Sequence, residues 1–432
     1  MFGTITRSKL QECKKDGISK RRKPMSKREL ATVGSEAINK CLVCSVCTIF
    51  PIARRPLQGG FVYRRIDAMS KLICVKGIRP QPFFPIVKPF RLQQTTRDGN
   101  VAVAPRRMYY LPKIGNQFNG VMLSRCLSRW IGDNLTGDRQ LVIDAHFGYP
   151  EGVGCYHAAK KFNLPVFITL RGLEQPLFGT PIGDQIVEAL NGCNGVIAVS
   201  ESLRDAAISA GANAVNIKVI PNGIDHAVFR PSDLRAQGKS ECSNESVPLL
   251  VSVGNLKHVK GQDVLLRAFH QLIQERPARL VLIGGDDESR YASKQRDFVT
   301  SHGLSDVVDF VGSIPPSEVN KWLQRANLFV LASRREGCCN AILEALACGL
   351  PVVATTVGDN HRFVRKGSTG RLVASDNFDQ LATAIGLTLD ESYDRNEISR
   401  TVEFFSWENT AKSVVQFFQS RLGVSAGNQP SC

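Results

Sequence analysis

The sequence predicts an α/β protein made of two doubly wound parallel-sheet domains that face one another across a cleft. Two observations predict it. From Leu42 onward, short apolar runs alternate with amphipathic helical stretches, the pattern of parallel α/β units. The alternation breaks once, over the polar and aperiodic stretch Asp225–Pro248, and then restarts. A length of 432 residues accommodates two such domains. With 43% apolar and 22% charged residues, the composition excludes collagen-like, fully disordered and small disulfide-stapled chains. No apolar run reaches about 18 residues, so an integral membrane protein is not expected.

Taken in order, the chain opens on a basic arm. Residues 1–40 carry eleven Lys or Arg against four acidic residues, a large part of the net +16, with almost no apolar periodicity. This reads as a disordered tail, either solvated or touching anionic lipid or nucleic acid. Leu42–Phe50 reads as a buried first strand. Cys41, Cys44 and Cys47 share it, but a spacing of three on a strand turns neighbours to opposite faces, so no single metal ion collects them. Thirteen Cys without a framework, most in apolar surroundings, favour a reducing cytoplasm. Pro56, Gly59 and Gly60 mark a loop, followed by a helical stretch through Ala68–Leu72.

Further strands are expected at Leu141–Ile143, Val166–Leu170 and Gly195–Val199. Ser200 suits the N-cap of a helix over Ser202–Ala210 that Gly211 closes. After the Pro221-Asn222-Gly223 turn and the linker, Leu249–Val253, Leu280–Ile283, Leu328–Leu331 and Val352–Thr355 read as strands. Gln262–Glu275 and Ala341–Ala347 read as helices, the second stopped by Gly349 and Pro351, and Trp407–Leu422 as a terminal helix. The division is a tail over 1–40, an N-terminal domain over 41–225, a linker over 226–248, a C-terminal domain over 249–398, a returning helix over 399–422 and a tail over 423–432.

The stretch from Arg335 to Pro351 carries the chemistry. Glu336 sits in a loop after a strand, and Glu344, with seven residues between them, about a turn into the next helix. Amides near Cys339, Asn340 and Ala341 lie where a helix start leaves N–H groups unpaired, which suits a phosphate. Glu344 is then placed for ribose hydroxyls and Glu336 for hydroxyls of a group attached to the phosphate. A solvated helix Glu and a loop Glu fit the same spacing.

This stretch resembles the E-x7-E motif of retaining glycosyltransferases of family 4, which have the GT-B fold of two Rossmann-like domains. Four other stretches match in the family's order: Asp144-Ala145-His146-Phe147, Ile197–Leu203, Val219–Asp225 and Val251–Leu256 with Lys260-Gly261. Phe405-Ser406-Trp407-Glu408 matches the start of the family's last helix, which returns to the N-terminal domain. The resemblance covers roughly residues 42–422.

The resemblance implies a nucleotide-sugar donor, UDP- or GDP-linked, and a glycan or lipid-linked acceptor in the N-terminal domain, as in envelope polysaccharide synthesis. Glu344 would hold the ribose. Glu336, with amides from Gly337, Cys338, Cys339, Asn340 and Ala341, would hold the sugar and diphosphate. Lys260 would neutralise the diphosphate, beside Gly254 and Asn255. Phe310, Gly312 and Ser313 would frame the base, and Gly59 and Gly60 would let backbone approach the phosphate.

Two positions depart from the family. Asn255 stands where the family often has Arg, which shifts charge to Lys260 with Lys257 or His258. Arg171 stands where it commonly has His; Arg171 would stabilise the leaving phosphate, or His146 would supply the polar contact. Glu174 would orient the acceptor or be exposed. Asp286-Asp287-Glu288 looks like a metal cluster but fits a hydrated acidic turn, and neither metal nor other cofactor is expected. A sugar-nucleotide 2-epimerase of the same fold and a catalytically weak binder are the alternatives. Basic residues concentrate in the arm without a recognition motif, so no nucleic-acid function is expected. Arg54, Arg55, Arg64, Arg65, Arg106 and Arg107 suggest peripheral contact of a cytoplasmic protein with an anionic membrane.

Overall fold

The computed structural model describes residues 41–84, 92–94, 99–134, 140–232 and 247–424. The basic arm over 1–40, most of the expected linker and residues 425–432 lie outside them.

In the N-terminal lobe the strands are β1 (Leu42–Val46), β2 (Cys74–Phe83), β3 (Val103–Tyr109), β4 (Leu141–His146), β5 (Val166–Leu170), β6 (Gly195–Ala198) and β7 (Ile217–Val219). Its helices are α1 (Gly60–Ser70), α2 (Asn119–Asn134), α3 (Val153–Phe162), α4 (Pro181–Gly192) and α5 (Glu201–Ser209). In the C-terminal lobe they are β8 (Leu249–Val253), β9 (Arg279–Ile283), β10 (Val308–Gly312), β11 (Leu328–Leu331), β12 (Val352–Thr355) and β13 (Gly370–Val373). The helices there are α6 (Gln262–Glu275), α7 (Ser289–Ser301), α8 (Pro316–Arg325), α9 (Asn340–Ala347), α10 (Asn360–Phe363), α11 (Phe378–Asp390), α12 (Arg395–Arg400) and α13 (Trp407–Val424).

Both sheets are parallel throughout, in the orders β3-β2-β1-β4-β5-β6-β7 and β10-β9-β8-β11-β12-β13. Central strands such as β4, β5 and β11 are buried at every position, as a sheet covered on both faces requires. Strand order reverses between β1 and β4 in one lobe and between β8 and β11 in the other. Loops leaving the carboxyl ends of those strands diverge there and leave room for a ligand. Lys260 follows β8, Glu336 follows β11, and His146 ends β4.

One face of the first sheet packs Cys44, Ile143 and Ile168 against α2, α3 and α4. The other packs Val43, Val142 and Phe167 against Trp407, Val414 and Phe418 of α13, which thus closes the N-terminal lobe. Phe167 and Phe418 stack with ring centroids 4.1 Å apart. The two segments that join the lobes run side by side: the Ile224 N–H donates to the Phe405 carbonyl at 2.8 Å. Cys41, Cys44 and Cys47 are buried in three different apolar clusters, in keeping with the alternation expected of them.

Several boundaries differ from expectation. The first strand stops at Val46, four residues before Phe50, and Ala68–Leu72 covers only the end of a helix that begins at Gly60. β2 and β3 lie outside the strands expected from the sequence. Pro80 and Pro82 argue against a strand, yet they lie where β2 pairs only with β3, beyond the end of its pairing with β1. Ser200 caps its helix as expected, its hydroxyl accepting from the Leu203 N–H at 3.2 Å. Among the described residues no helix is long and apolar enough to cross a membrane.

Candidate active site

The turn after β8 is fixed by Gly261, which sits at φ +66° and caps α6. A Cβ there would stand 1.9 Å from the Ala332 carbonyl oxygen, so only glycine lets this turn lie against the end of β11. That approach brings Lys260 to the loop after β11. Its Nζ lies 2.7 and 3.0 Å from the two carboxylate oxygens of Glu336. The Ser333 hydroxyl donates to the same carboxylate at 2.5 Å. Burial, the largest influence, pulls the Lys260 ammonium down, but Glu336 and Cys339 outweigh it and leave the group above its ordinary value. The pair forms a fixed charged floor at the mouth of the C-terminal sheet.

Glu336 leads through Gly337, Cys338 and Cys339 into α9. Cys339 stands at the N-cap without a side-chain cap, and Asn340 and Ala341 open the helix, so its first N–H groups have no capping side chain. Glu344 follows one turn on. Burial drives its carboxyl up to about 7, against the opposing charge of Arg64 from the other lobe.

A cleft of about 970 Å³ spans the lobes. Gly254, Asn255, Lys257, Ser313 and the Asp286–Glu288 turn line one side, and Arg54, Arg55 and Gln58 the other. Asn255 holds the floor together: its amide donates to Asp287 at 2.9 Å and its oxygen accepts from the Gly285 N–H at 3.1 Å. Lys257 also pairs with Asp287, Arg296 with Asp286, and the His258 N–H donates to Glu288. Each acid of the turn is thus engaged by a protein group, and among the described residues no cluster of three or more His, Cys, Asp or Glu could hold a metal. Phe310 lies half-buried under the Arg296 guanidinium, 4.5 Å away, and Gly312 has open space where a Cβ would be.

Opposite, a buried polar network ends the N-terminal sheet. Arg65 donates to Asp144 at 2.6 Å and to Thr169 at 2.7 Å. Ser45 and Asp144 flank His146 Nε2 at 2.6 and 3.2 Å, and Arg171 donates to its Nδ1 at 3.0 Å. Burial holds His146 down at about 3, with both arginines reinforcing it, so the ring is neutral. Burial depresses Arg171 to about 9, with Arg65 adding to it. Arg171 also reaches Asn222, which donates to Asn340 at the start of α9, so the network crosses between lobes.

The structure therefore separates the expected site residues. It gathers Lys260, Glu336 and the residues from Gly337 to Ala341 at one point, with Gly254, Asn255 and Ser313 on the adjoining cleft wall. His146 is fully buried with both ring nitrogens engaged, so it positions Arg171 and does not itself face the cleft. Glu174 is neither exposed nor free to orient an acceptor. It is fully buried and accepts the N–H groups of Gly148, Arg171 and Gly172 at 2.7, 3.1 and 2.8 Å. Gly59 owes its glycine to a Cβ-to-Ile49 carbonyl distance of 2.0 Å at φ +68°, whereas Gly60 has open space in front of it.

Sequence reasoning missed Arg54 and Arg55 as cleft residues and Asp359 as a link between lobes. The Asp359 carboxylate accepts the Glu201 and Ser202 N–H groups at 2.7 and 2.9 Å, capping α5 from across the interface. The uninterrupted Arg pair just before the Pro56–Gly60 loop was the one available signal for the first; nothing local marks the second.

Residues 87–228 match the family model described as Glycosyltransferase Family 4, and residues 247–391 the one described as Glycosyl transferases group 1. The D-inositol 3-phosphate glycosyltransferase of Acidothermus cellulolyticus is 31% identical over 223 residues, 49% of this chain and 50% of that protein. The one from Frankia alni is 29% identical over 307 residues, 68% of this chain and 74% of that protein. A lipopolysaccharide core biosynthesis mannosyltransferase of Rhizobium leguminosarum bv. viciae is 28% identical, covering 48% and 60%. The chain spans about half the length of the first of these curated relatives. Sucrose-phosphate synthase from Thermosynechococcus elongatus superposes with a TM-score of 0.71 at 20% identity, over 89% of this chain and all of that one. The Anabaena protein HepE, in complex with UDP-glucose, superposes with a TM-score of 0.64 at 18% identity, over 90% and 100%. The chain thus has the GT-B fold, its N-terminal lobe similar to the family model described as Glycosyltransferase Family 4 and its C-terminal lobe to the one described as Glycosyl transferases group 1.

Proposed function

We propose that the protein transfers a glycosyl group from a nucleoside-diphosphate sugar to a hydroxyl of a glycan or lipid-linked acceptor, with retention at the anomeric carbon. The Lys260–Glu336 pair at the uncapped start of α9 carries this reading. The donor's diphosphate meets the Lys260 ammonium and the first N–H groups of α9, which supply fixed positive charge where the leaving group becomes more negative. Glu336 and the Gly337 backbone meet the sugar, and Glu344 the ribose. Arg171, held by neutral His146 and Asn222, adds a second cation from the facing lobe.

In the transfer the bond from the anomeric carbon to the phosphate oxygen breaks, and a bond from that carbon to the acceptor oxygen forms on the same face. The acceptor's proton passes to the departing phosphate oxygen. No metal enters this scheme, because Lys260, Arg171 and the helix amides supply the positive charge. That relatives are named glycosyltransferases, and that a structural neighbour was crystallised with UDP-glucose, supports the class of donor.

The test is a panel of UDP- and GDP-sugars incubated with the full chain, followed for slow donor hydrolysis. Hydrolysis of one donor, lost in Glu336→Gln, supports the reading. Accumulation of an epimer without free sugar would replace it with the isomerase.

A further inference from the structure

Two arginines expected at a membrane surface pair within the protein instead: Arg64 with Asp225, and Arg65, buried, with Asp144. Arg334 is engaged more fully than either. It stands two residues before Glu336, on the loop that leaves β11, and lines a second pocket of about 630 Å³ between the lobes. His258, Val259 and Glu336 line the same pocket. A cation in that place invites assignment as a ligand for the substrate's phosphates, but its hydrogen bonds give it a different task.

Four of the five guanidinium N–H groups are already engaged. Nη1 and Nη2 donate to the two carboxylate oxygens of Asp263 at 2.9 and 2.8 Å, the planar fork matching the planar acid. Nη1 also donates to the His258 carbonyl at 2.6 Å, and Nε to Asp376 at 2.7 Å. Two carboxylates thus meet one cation and leave no surplus positive charge for a ligand. The Arg334 backbone N–H donates to the next carbonyl along, that of Val259, at 2.8 Å. Side chain and backbone of one residue therefore hold consecutive carbonyls of the turn that ends in Lys260.

The anchors are themselves fixed. Asp263 lies in the first turn of α6, two residues past Gly261. The Tyr291 hydroxyl of α7 donates to its carboxylate at 2.6 Å and accepts its N–H at 3.0 Å. Asp376, beyond β13, sits at φ +59°, a left-handed conformation that costs a non-glycine residue energy and persists where the surroundings enforce it.

Building on Lys260 as the diphosphate's cation, we propose that Arg334 is a positioning residue of the donor site. It fixes the turn over residues 258–260 to the loop that carries Glu336, and so sets the Lys260 ammonium where a diphosphate meets it. Gly261 permits the two loops to approach, and Arg334 decides where the approach stops. Arg334 acts through Lys260 and does not itself meet the substrate. A displacement of about 1 Å at a preorganised group costs up to about a hundredfold, so the clamp has a measurable effect.

Calorimetry on the full chain with UDP and with uridine, in a double-mutant cycle, tests this. Arg334→Met should weaken UDP binding about tenfold and leave uridine binding unchanged. In the Lys260→Ala background the same substitution should weaken UDP less than about twofold, because the group it positions is gone. Tyr291→Phe loosens Asp263 and leaves the guanidinium in place. It should weaken UDP about threefold, and it carries the test where Arg334→Met melts too low to study. A crystal structure of Arg334→Met should show the Lys260–Glu336 contacts of 2.7 and 3.0 Å broken. That readout needs no ligand: a wild type that binds no UDP would refute the role of Lys260, and the crystal would still judge the clamp. Equal UDP losses in both backgrounds, equal losses for UDP and uridine, or an unchanged Lys260–Glu336 contact would each overturn the proposal.

Discussion

The Lys260 ammonium and the Glu336 carboxylate are joined by two contacts, 2.7 and 3.0 Å, across 76 residues of sequence. Each group therefore limits the other. An anionic ligand must share Lys260 with Glu336, and Glu336 is oriented by Lys260 and Ser333 before any ligand arrives. Lys260→Ala removes the cation and leaves Glu336 largely buried beside the ligand's phosphates. It should lower kcat/KM for the donor at least a hundredfold, within the range for loss of a preorganised stabilising group. Glu336→Gln frees Lys260 for the phosphates. UDP binding should then hold or tighten while turnover falls, and calorimetry beside steady-state kinetics separates the two effects.

The Lys260–Glu336 pair also shows how far sequence reaches. Both residues were legible, because each lies in a short stretch with its own turn and helix-start signals. Their contact was legible only through Gly261, whose positive φ lets two distant loops touch. Glu174 was misread for the complementary reason. A Glu in a polar loop looks solvated, and nothing local shows that three backbone N–H groups converge on it. His146 was misread because burial and Arg171, both properties of the folded sheet end, decide whether it meets the cleft. β2 was missed because prolines usually break strands, and only the offset between its two pairings makes room for them.

Gly261→Ala tests the turn itself. The substituted residue would be strained at φ +66° and would drive a methyl into the Ala332 carbonyl. A cost of about 2 kcal/mol or more is expected, with a lower Tm and weaker UDP binding. Gly60→Ala has open space for its methyl and should melt as the wild type does.

Glu151 gives the pH dependence a definite sign. Its carboxylate accepts from the Thr48 N–H at 2.9 Å and hydroxyl at 2.5 Å, yet burial lifts it from 4.5 to about 7. The folded state therefore binds this proton more tightly than the unfolded chain does. The group penalises folding above pH 7, and the penalty disappears as pH falls toward 4.5. Glu151→Gln should raise Tm at pH 8 and leave it close to wild type at pH 4.5, with a difference of up to about 3 kcal/mol between the two conditions. Equal melting shifts at both pH values would contradict this assignment.

Asp359 ties the lobes by capping α5 from the far side of the interface, with Arg362 bridging to Glu201 at 3.2 Å. Asp359→Ala leaves two helix-start N–H groups without their partner and removes an inter-lobe anchor, a loss of about 1 kcal/mol. The lobes should then open more often. Small-angle scattering should report a larger radius of gyration for the variant than for the wild type, and saturating UDP should reduce the difference.

Arg54 and Arg55 face the cleft from the N-terminal lobe, opposite Asn255 and Lys257. Neither arginine forms an ion pair among the described residues, whereas Asn255 and Lys257 are held by Asp287. The cations free to meet a diphosphate on this side of the cleft therefore come from the facing lobe. Arg54→Ala/Arg55→Ala should weaken UDP binding about tenfold, flatten its salt dependence and leave uridine binding unchanged, because uridine lacks the charge. Arg54→Lys/Arg55→Lys should restore most of the UDP affinity. Equal losses for UDP and uridine would instead assign the pair to shaping the cleft wall.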